Sequence, residues 1–161
     1  MPTVTIEQEI WAALESVFDP ELPIAVTDLG LIDDVRVDDG HVWVKMVPTY
    51  SACPAIDVIR GDIRRRLLQV AGVTDAHVDL SFQRPWTLDR MTEHGRQRLR
   101  EHGLSVAAGG GEIAKAGIAC PYCGSTNAVL ENPFGPTLCR AIYYCKDCRN
   151  PIERFKSPQD G

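Results

Sequence analysis

The sequence predicts an α/β protein in two parts: a small two-layer α-β-β-α-β domain, then a short cysteine-held module. Three observations predict it. The apolar period switches from helical to alternating and back between residues 5 and 82. A stretch containing Ala-Ala-Gly-Gly-Gly then interrupts the chain. Beyond it crowd five of the six cysteines.

The first helix is expected over residues 5–18. Thr5 and Gln8 have capping-box spacing, and Ile6, Ile10, Leu14, Val17 and Phe18 make one apolar face. Asp19 precedes Pro20 and is pushed out of the α region, which stops the helix. Two strands, 31–37 and 41–47, alternate valines with charged residues around the hairpin dipeptide Asp39-Gly40. A second helix spans 54–71, with Ala55, Ile59, Ile63, Leu67 and Val70 on one side and Gly72 just past its end. Residues 75–82 form a third strand with Ala76, Val78 and Leu80 facing one way. These five elements make a compact unit of roughly 80 residues, near the lower end of domain size.

Thr87 is placed to cap an added helix over 88–102, closed by Gly103, and this helix is expected to lie on the first domain. The expected division is therefore a first domain at 1–103, a flexible linker at 104–117 and a second domain at 118–161.

In that second domain, Cys120-Pro121-Tyr122-Cys123 and Cys145-Lys146-Asp147-Cys148 are two CxxC turns. Each offers two thiolates from one tight loop, the donor set of a tetrahedral metal. In a reducing compartment such turns are metal ligands more often than disulfides. A segment this short cannot bury enough apolar surface to fold unaided, so a metal staple is physically reasonable. The expected form is a zinc-ribbon-like module in which Cys120, Cys123, Cys145 and Cys148 hold a structural zinc. An iron–sulfur cluster accepts the same four thiolates. Gly124 and Asn150 are the expected points of backbone freedom beside the sulfurs. Cys139 reads either as a small buried hydrophobe or as an additional thiol ligand.

Cys53 stands apart. Pro54 suits the first turn of a helix, which places Cys53 at the N-cap, where the helix dipole and free N–H groups favour a thiolate. The competing reading is a packed cysteine at a strand–helix corner. The four histidines, His41, His77, His94 and His102, are scattered and read as surface residues, with no nucleophile–base pair.

Bulk properties exclude some classes. The chain of 161 residues carries a formal net charge of −5, which argues against general affinity for nucleic acid or anionic membrane. The tail cations Arg140, Lys146, Arg149, Arg154 and Lys156 are nearly offset by Glu131, Asp147, Glu153 and Asp160. No apolar run approaches the ~20 residues of a membrane span. Met1-Pro2-Thr3-Val4-Thr5 has no basic-then-apolar pattern, so no signal peptide is expected and a cytoplasmic location is the default.

Asp19-Pro20-Glu21, then Asp28-Leu29-Gly30-Leu31-Ile32, then Thr49-x-x-x-Cys53-Pro54 resemble the signature of the metal–sulfur cluster assembly domain, the SufT-like family, over residues 6–83. Pro85-Trp86-Thr87 and the tail, with Cys120-Pro121-x-Cys123-Gly124-Ser125, Phe134-Gly135-Pro136-Thr137-Leu138-Cys139, Cys145-x-x-Cys148 and Phe155-Lys156, narrow it. They are similar to the PaaD family, accessory components of the phenylacetyl-CoA epoxidase system, which carries out ring 1,2-epoxidation in aerobic phenylacetate catabolism.

The resemblance implies a helper in iron–sulfur maturation, not an enzyme. It implies that Cys53 is the functional cysteine and that Asp19, Glu21, Asp28 and Thr49 are its signature companions. It implies transient handling of iron or an iron–sulfur cluster, with the oxygenase and reductase components of the epoxidase complex and the iron–sulfur assembly machinery as partners. A second copy of the chain is a further expected partner, through an exposed sheet edge. The family's tail ends Phe-Lys-Cys where this chain has Phe155-Lys156-Ser157, so a sixth tail thiol to pair with Cys139 is absent.

Three other readings stand beside this one. A zinc-held adaptor could stabilise an oxygenase complex without handling metal. A nucleic-acid-binding ribbon is disfavoured by charge. A CxxC redox enzyme competes poorly with two turns at ribbon spacing.

Overall fold

The computed structural model describes residues 3–49, 53–106, 118–137 and 140–155. The chain divides into two units, Met1–Pro85 and Trp86–Gly161.

In the first unit the order is α1 (Ile6–Glu15), β1 (Ile32–Asp38), β2 (His41–Met46), α2 (Ala55–Leu67) and β3 (Asp75–Leu80). The expected α-β-β-α-β order is present. Thr5 and Gln8 form the capping box. Helix α1 stops at Glu15, three residues before its expected end. Asp19 instead turns the chain back, its Oδ1 accepting the N–H groups of Glu21 (2.8 Å) and Leu22 (3.1 Å). That turn pairs Phe18 with Ala25 and leaves Phe18 exposed.

The sheet order is β1-β2-β3, antiparallel then parallel, with His41 opposite Asp75 and Trp43 opposite His77. Along β2 buried and exposed residues alternate strictly. Val42, Val44 and Met46 face the core with Ile10, Leu14, Ile59, Ile63 and Leu67 from the helices. His41, Trp43 and Lys45 face outward. Gly40 has φ +80, and a Cβ there would lie 2.8 Å from the Gly72 carbonyl, so the hairpin requires glycine at that point.

Strand β3 is an edge whose free carbonyls are covered. Arg60 of α2 donates from Nε and Nη2 to the Val78 carbonyl (3.2 and 3.0 Å). Arg64 donates from Nε to the Ala76 carbonyl (3.0 Å). Strand addition at β3 would have to displace both arginines.

The second unit begins with a 3₁₀ turn at Leu88–Arg90 and α3 (Glu93–Glu101). The single helix expected over 88–102 is thus split. Its cap is Thr92, whose Oγ1 accepts the Gly95 N–H at 3.0 Å, not Thr87. Strands β4 (Leu104–Ser105), β5 (Ala128–Asn132), β6 (Arg140–Cys145) and β7 (Pro151–Phe155) follow, in sheet order β4-β7-β6-β5.

Two expectations change here. Residues 104 and 105 are not linker: both are buried, and they pair in parallel with Glu153 and Arg154 of β7. The helix region also belongs with the ribbon and not with the first domain. Trp86 packs edge-on against Phe155 (centroids 5.4 Å apart), and both are fully buried. Burial of two large aromatics decided what the sparse apolar pattern of the helix could not. The remainder of the expected linker, 107–117, lies outside the described residues, as do Cys139 and Ser157.

Candidate functional site

The two CxxC turns adopt the same backbone form. Gly124 donates its N–H to the Cys120 carbonyl (2.8 Å), and Cys120 donates to the Ser125 carbonyl (2.8 Å). In the second turn, Arg149 donates to the Cys145 carbonyl (2.9 Å) and Cys145 to the Asn150 carbonyl (3.0 Å). The residue after each second cysteine takes a left-handed conformation, Gly124 at φ +75 and Arg149 at φ +63. The second point of backbone freedom is therefore Arg149, one residue before the expected Asn150.

These two turns bring Cys120, Cys123, Cys145 and Cys148 together, each Sγ within 4.8 Å of the others. Cys120 Sγ lies 3.6 Å from Cys148 Sγ, and Cys123 Sγ lies 3.7 Å from Cys145 Sγ. A tetrahedral zinc with bonds of about 2.3 Å separates its sulfurs by about 3.8 Å, so the four fit one ion. Cys120 and Cys145 are buried with Ile152, and Ile118, Ala128 and Tyr143 pack around them. The centre is the core of the ribbon.

Crowding of the thiols favours a cation. The Ser125 N–H lowers the pKa of Cys123, but burial and contact with the Cys145, Cys148 and Cys120 sulfurs push it up to about 12. At Cys148 burial acts upward, yet the side-chain and backbone donors of Asn150, with Cys120 and Cys145, bring it down to about 7. One sulfur ionises readily and another resists, as expected where several negative charges would share one pocket. A metal removes that conflict.

Asp147 ties the turns together, a role the sequence reading missed. It accepts the Ser125 hydroxyl proton at Oδ2 and the Asn127 side-chain amide at Oδ1 (2.9 Å). Both bonds hold its carboxyl below the usual range, the one from Ser125 more strongly. Lys146 adds a backbone bond to Asn127 (2.9 Å). Ser125 and Asn127 follow the first turn and Asp147 sits inside the second, a reciprocity visible only once the turns are adjacent.

Cys53 lies at the other sulfur site. Helix α2 begins at Ala55 with Pro54 as its N-cap, so Cys53 precedes the cap by one residue. Its carbonyl accepts the Ile56 N–H (3.2 Å). The thiol is half-buried, and its pKa is raised, opposite to the expected helix-dipole effect. Burial is the largest cause. The Ala55 N–H opposes it, the carboxylates of Asp19 and Glu21 reinforce it, and the Ile56 N–H again opposes it. The helix N–H groups do reach the sulfur, but burial and two nearby negative charges outweigh them.

Asp19 and Glu21 are thus close enough for their charges to act on Cys53. Asp28 lies on the neighbouring loop, which Gly30 turns at φ +76 and which ends on Leu31. The Leu31 carbonyl accepts the Val47 N–H at 2.7 Å, fixing that loop to the end of β2. Thr49 is half-buried just beyond, before residues 50–52, which lie outside the described residues.

An α/β unit carrying such a cysteine loop, followed by a four-thiol ribbon, matches two known families of domain. Residues 7–80 match the iron–sulfur cluster assembly proteins, and residues 108–156 match the PaaD zinc beta ribbon domain. A chain from Escherichia coli, described as a putative component of 1,2-phenylacetyl-CoA epoxidase, is 41% identical over 152 residues, covering 92% of this chain and 91% of that one. The chain belongs to the PaaD family.

Its first unit is also similar to an Fe-S protein maturation auxiliary factor of Porphyromonas gingivalis (43% identity; 58% of this chain, 90% of the relative). It is 35% identical to the maturation factor SufT of Staphylococcus aureus over 52% of this chain and 96% of that protein. A crystal structure of a domain of unknown function, DUF59, from Bacillus anthracis shares the fold with TM-score 0.54 and 31% identity, over 58% of this chain and 91% of its own. Among the described residues, no helix is long and apolar enough to cross a membrane.

Proposed function

We propose that this protein is an accessory factor for iron–sulfur maturation in the phenylacetyl-CoA epoxidase system, and not itself a catalyst. The observation that carries this reading is the half-buried Cys53 thiol with the carboxylates of Asp19 and Glu21 acting on it. Burial raises the pKa of the sulfur and those charges reinforce it, and the same charges attract a cation. An arriving iron ion, the cargo, would replace the proton and turn a repulsive arrangement into a favourable one. The low exposure of the sulfur limits oxidation between transfers. Cys120, Cys123, Cys145 and Cys148 hold zinc as a structural ion, since a closed four-thiolate site has no open position for chemistry. The clients are the iron–sulfur component and its oxygenase partners, in the cytoplasm. Arg140 of the ribbon is paired with Glu153 (2.9 Å), which leaves one cation fewer to meet phosphates.

The test is the cluster content of the client reductase, co-expressed with wild type or with Cys53→Ser. The expected outcome is a client deficient in iron and sulfide, with ribbon zinc unchanged. Normal client clusters would sink the role of Cys53.

One observation favours a second reading, a zinc-held adaptor in which Cys53 is packing: its thiol is half-buried with a raised pKa. On that reading Cys53→Ala behaves as wild type while Cys120→Ser abolishes complex assembly.

A further inference from the structure

The sheet of the first unit leaves one face open, and three metal-capable side chains meet on it. His41 opens β2 and Asp75 opens β3, and they are direct partners in the parallel register. His77 lies two residues beyond Asp75 and so points to the same face. The donor atoms of His41, Asp75 and His77 all lie within 4.8 Å of one another. Asp75 Oδ2 is 3.1 Å from His77 Nε2. Donors bound at about 2.1 Å to one ion lie about 3.0–3.4 Å apart, so small side-chain rotations close the set.

A second observation points the same way: the donors are held in place from outside the cluster. The Trp43 ring stacks on His41 (5.8 Å, 24°) and on His77 (6.1 Å, 15°), aligning both imidazoles. Asp75 Oδ1 accepts the Ala76 N–H (2.8 Å) and faces Arg64 Nη2 (3.4 Å), leaving Oδ2 toward His77. The backbone beneath is tied as well, since the Gly40 carbonyl accepts the Thr74 N–H at 2.8 Å. Such fixed orientation is what a metal site needs from its surroundings.

We propose that His41, Asp75 and His77 form a second cation site, which takes a divalent first-row transition ion through two imidazole nitrogens and one carboxylate oxygen. That donor set suits zinc, iron(II), nickel or copper and disfavours calcium or magnesium. Three donors on an exposed face leave coordination positions to solvent, so the ion exchanges, unlike one locked among four thiolates. The site is distinct from Cys53. It sits at the start of β2, whereas Cys53 comes after the other end of that strand. It does not rest on the function proposed above.

Zinc(II) is the probe. The full chain, first saturated with zinc at its four cysteines, is titrated further while nitrogen-15 spectra follow the imidazole rings. A second equivalent should bind and shift the ring nitrogens of His41 and His77, with those of His94 and His102 unmoved. His77→Ala and Asp75→Asn should each weaken that step by about tenfold or more, equal to roughly 1.4 kcal/mol, and leave the first equivalent intact. Absence of a second step up to about 1 mM zinc would overturn the site. So would a step that survives His41→Ala combined with His77→Ala. The histidine readout reports this site whatever the cysteines hold.

Discussion

The two sulfur sites of this protein differ in how they treat charge. At the ribbon, four thiols are brought within bonding reach of one point by two backbone turns of identical form. The thiols shift one another in opposite directions, Cys123 up and Cys148 down, and their spacing fits one tetrahedral cation. At Cys53 a single thiol meets two helix N–H groups and two carboxylates, and burial tips the balance to the protonated form. The first arrangement fits one ion and the second raises the pKa of its thiol. The number of sulfurs matters less than what surrounds them.

The largest break in this contrast is expected from Cys120→Ser. Losing one buried ligand should release the metal and with it the order of β5, β6 and β7. Structural zinc sites contribute about 10–16 kcal/mol of folding free energy. Zinc content and amide chemical-shift dispersion would show it, and a chelator should do the same to wild type. Cys53→Ser should change neither measurement. If it released the metal too, the two sites would not be separate.

Asp147→Ala should loosen the ribbon without emptying it. The turns keep their cysteines but lose the bonds from Ser125 and Asn127. Metal affinity should fall about 10- to 100-fold, as when an outer-shell partner is lost, measured by competition with a chromogenic chelator. Unchanged affinity would make Asp147 incidental.

A smaller effect sharpens the account of Cys53. Because its pKa is raised, alkylation by iodoacetamide should accelerate only at a pH above that of an ordinary cysteine. Asp19→Asn with Glu21→Gln removes two charges that raise the pKa, so the profile should move to lower pH. Asparagine keeps an acceptor for the Glu21 and Leu22 N–H groups, so the turn survives. At fixed pH the rate should rise by less than about tenfold, since burial, the main cause, remains. A profile that does not move would mean the carboxylates are not felt.

The smallest effect is at Arg149. A non-glycine residue at φ +63 costs about 1–2 kcal/mol, and glycine costs unfolded-chain entropy of about 0.5–1 kcal/mol in return. Arg149→Gly should raise the melting temperature by a few degrees at most. A loss of stability would show that the arginine side chain contributes more than its backbone strain.

The order of the first five elements was legible because each is a local signal: a capping box at Thr5 and Gln8, alternation in β2, Asp39-Gly40 between strands. So was the gathering of the four ribbon cysteines, since CxxC spacing places two thiols on one tight turn. The N-terminus of α2 was readable to within a residue, but the pKa of Cys53 was not. Its direction depends first on burial, and nothing local reports how much water a loop excludes; carboxylates more than thirty residues earlier in the chain reinforce it.

The same division holds across the molecule. Residue order alone established the fold class, the four cysteines that gather in the ribbon and the separateness of Cys53, because these rest on periodicity and on spacings of two to four residues. Folding in three dimensions settled which unit Trp86 and α3 join, that Leu104 and Ser105 form a strand and that Asp147 bridges two turns. It also brought His41 beside Asp75 and His77. Each of these is a contact across many residues, fixed by buried area and strand register, quantities that exist only once the chain has closed on itself.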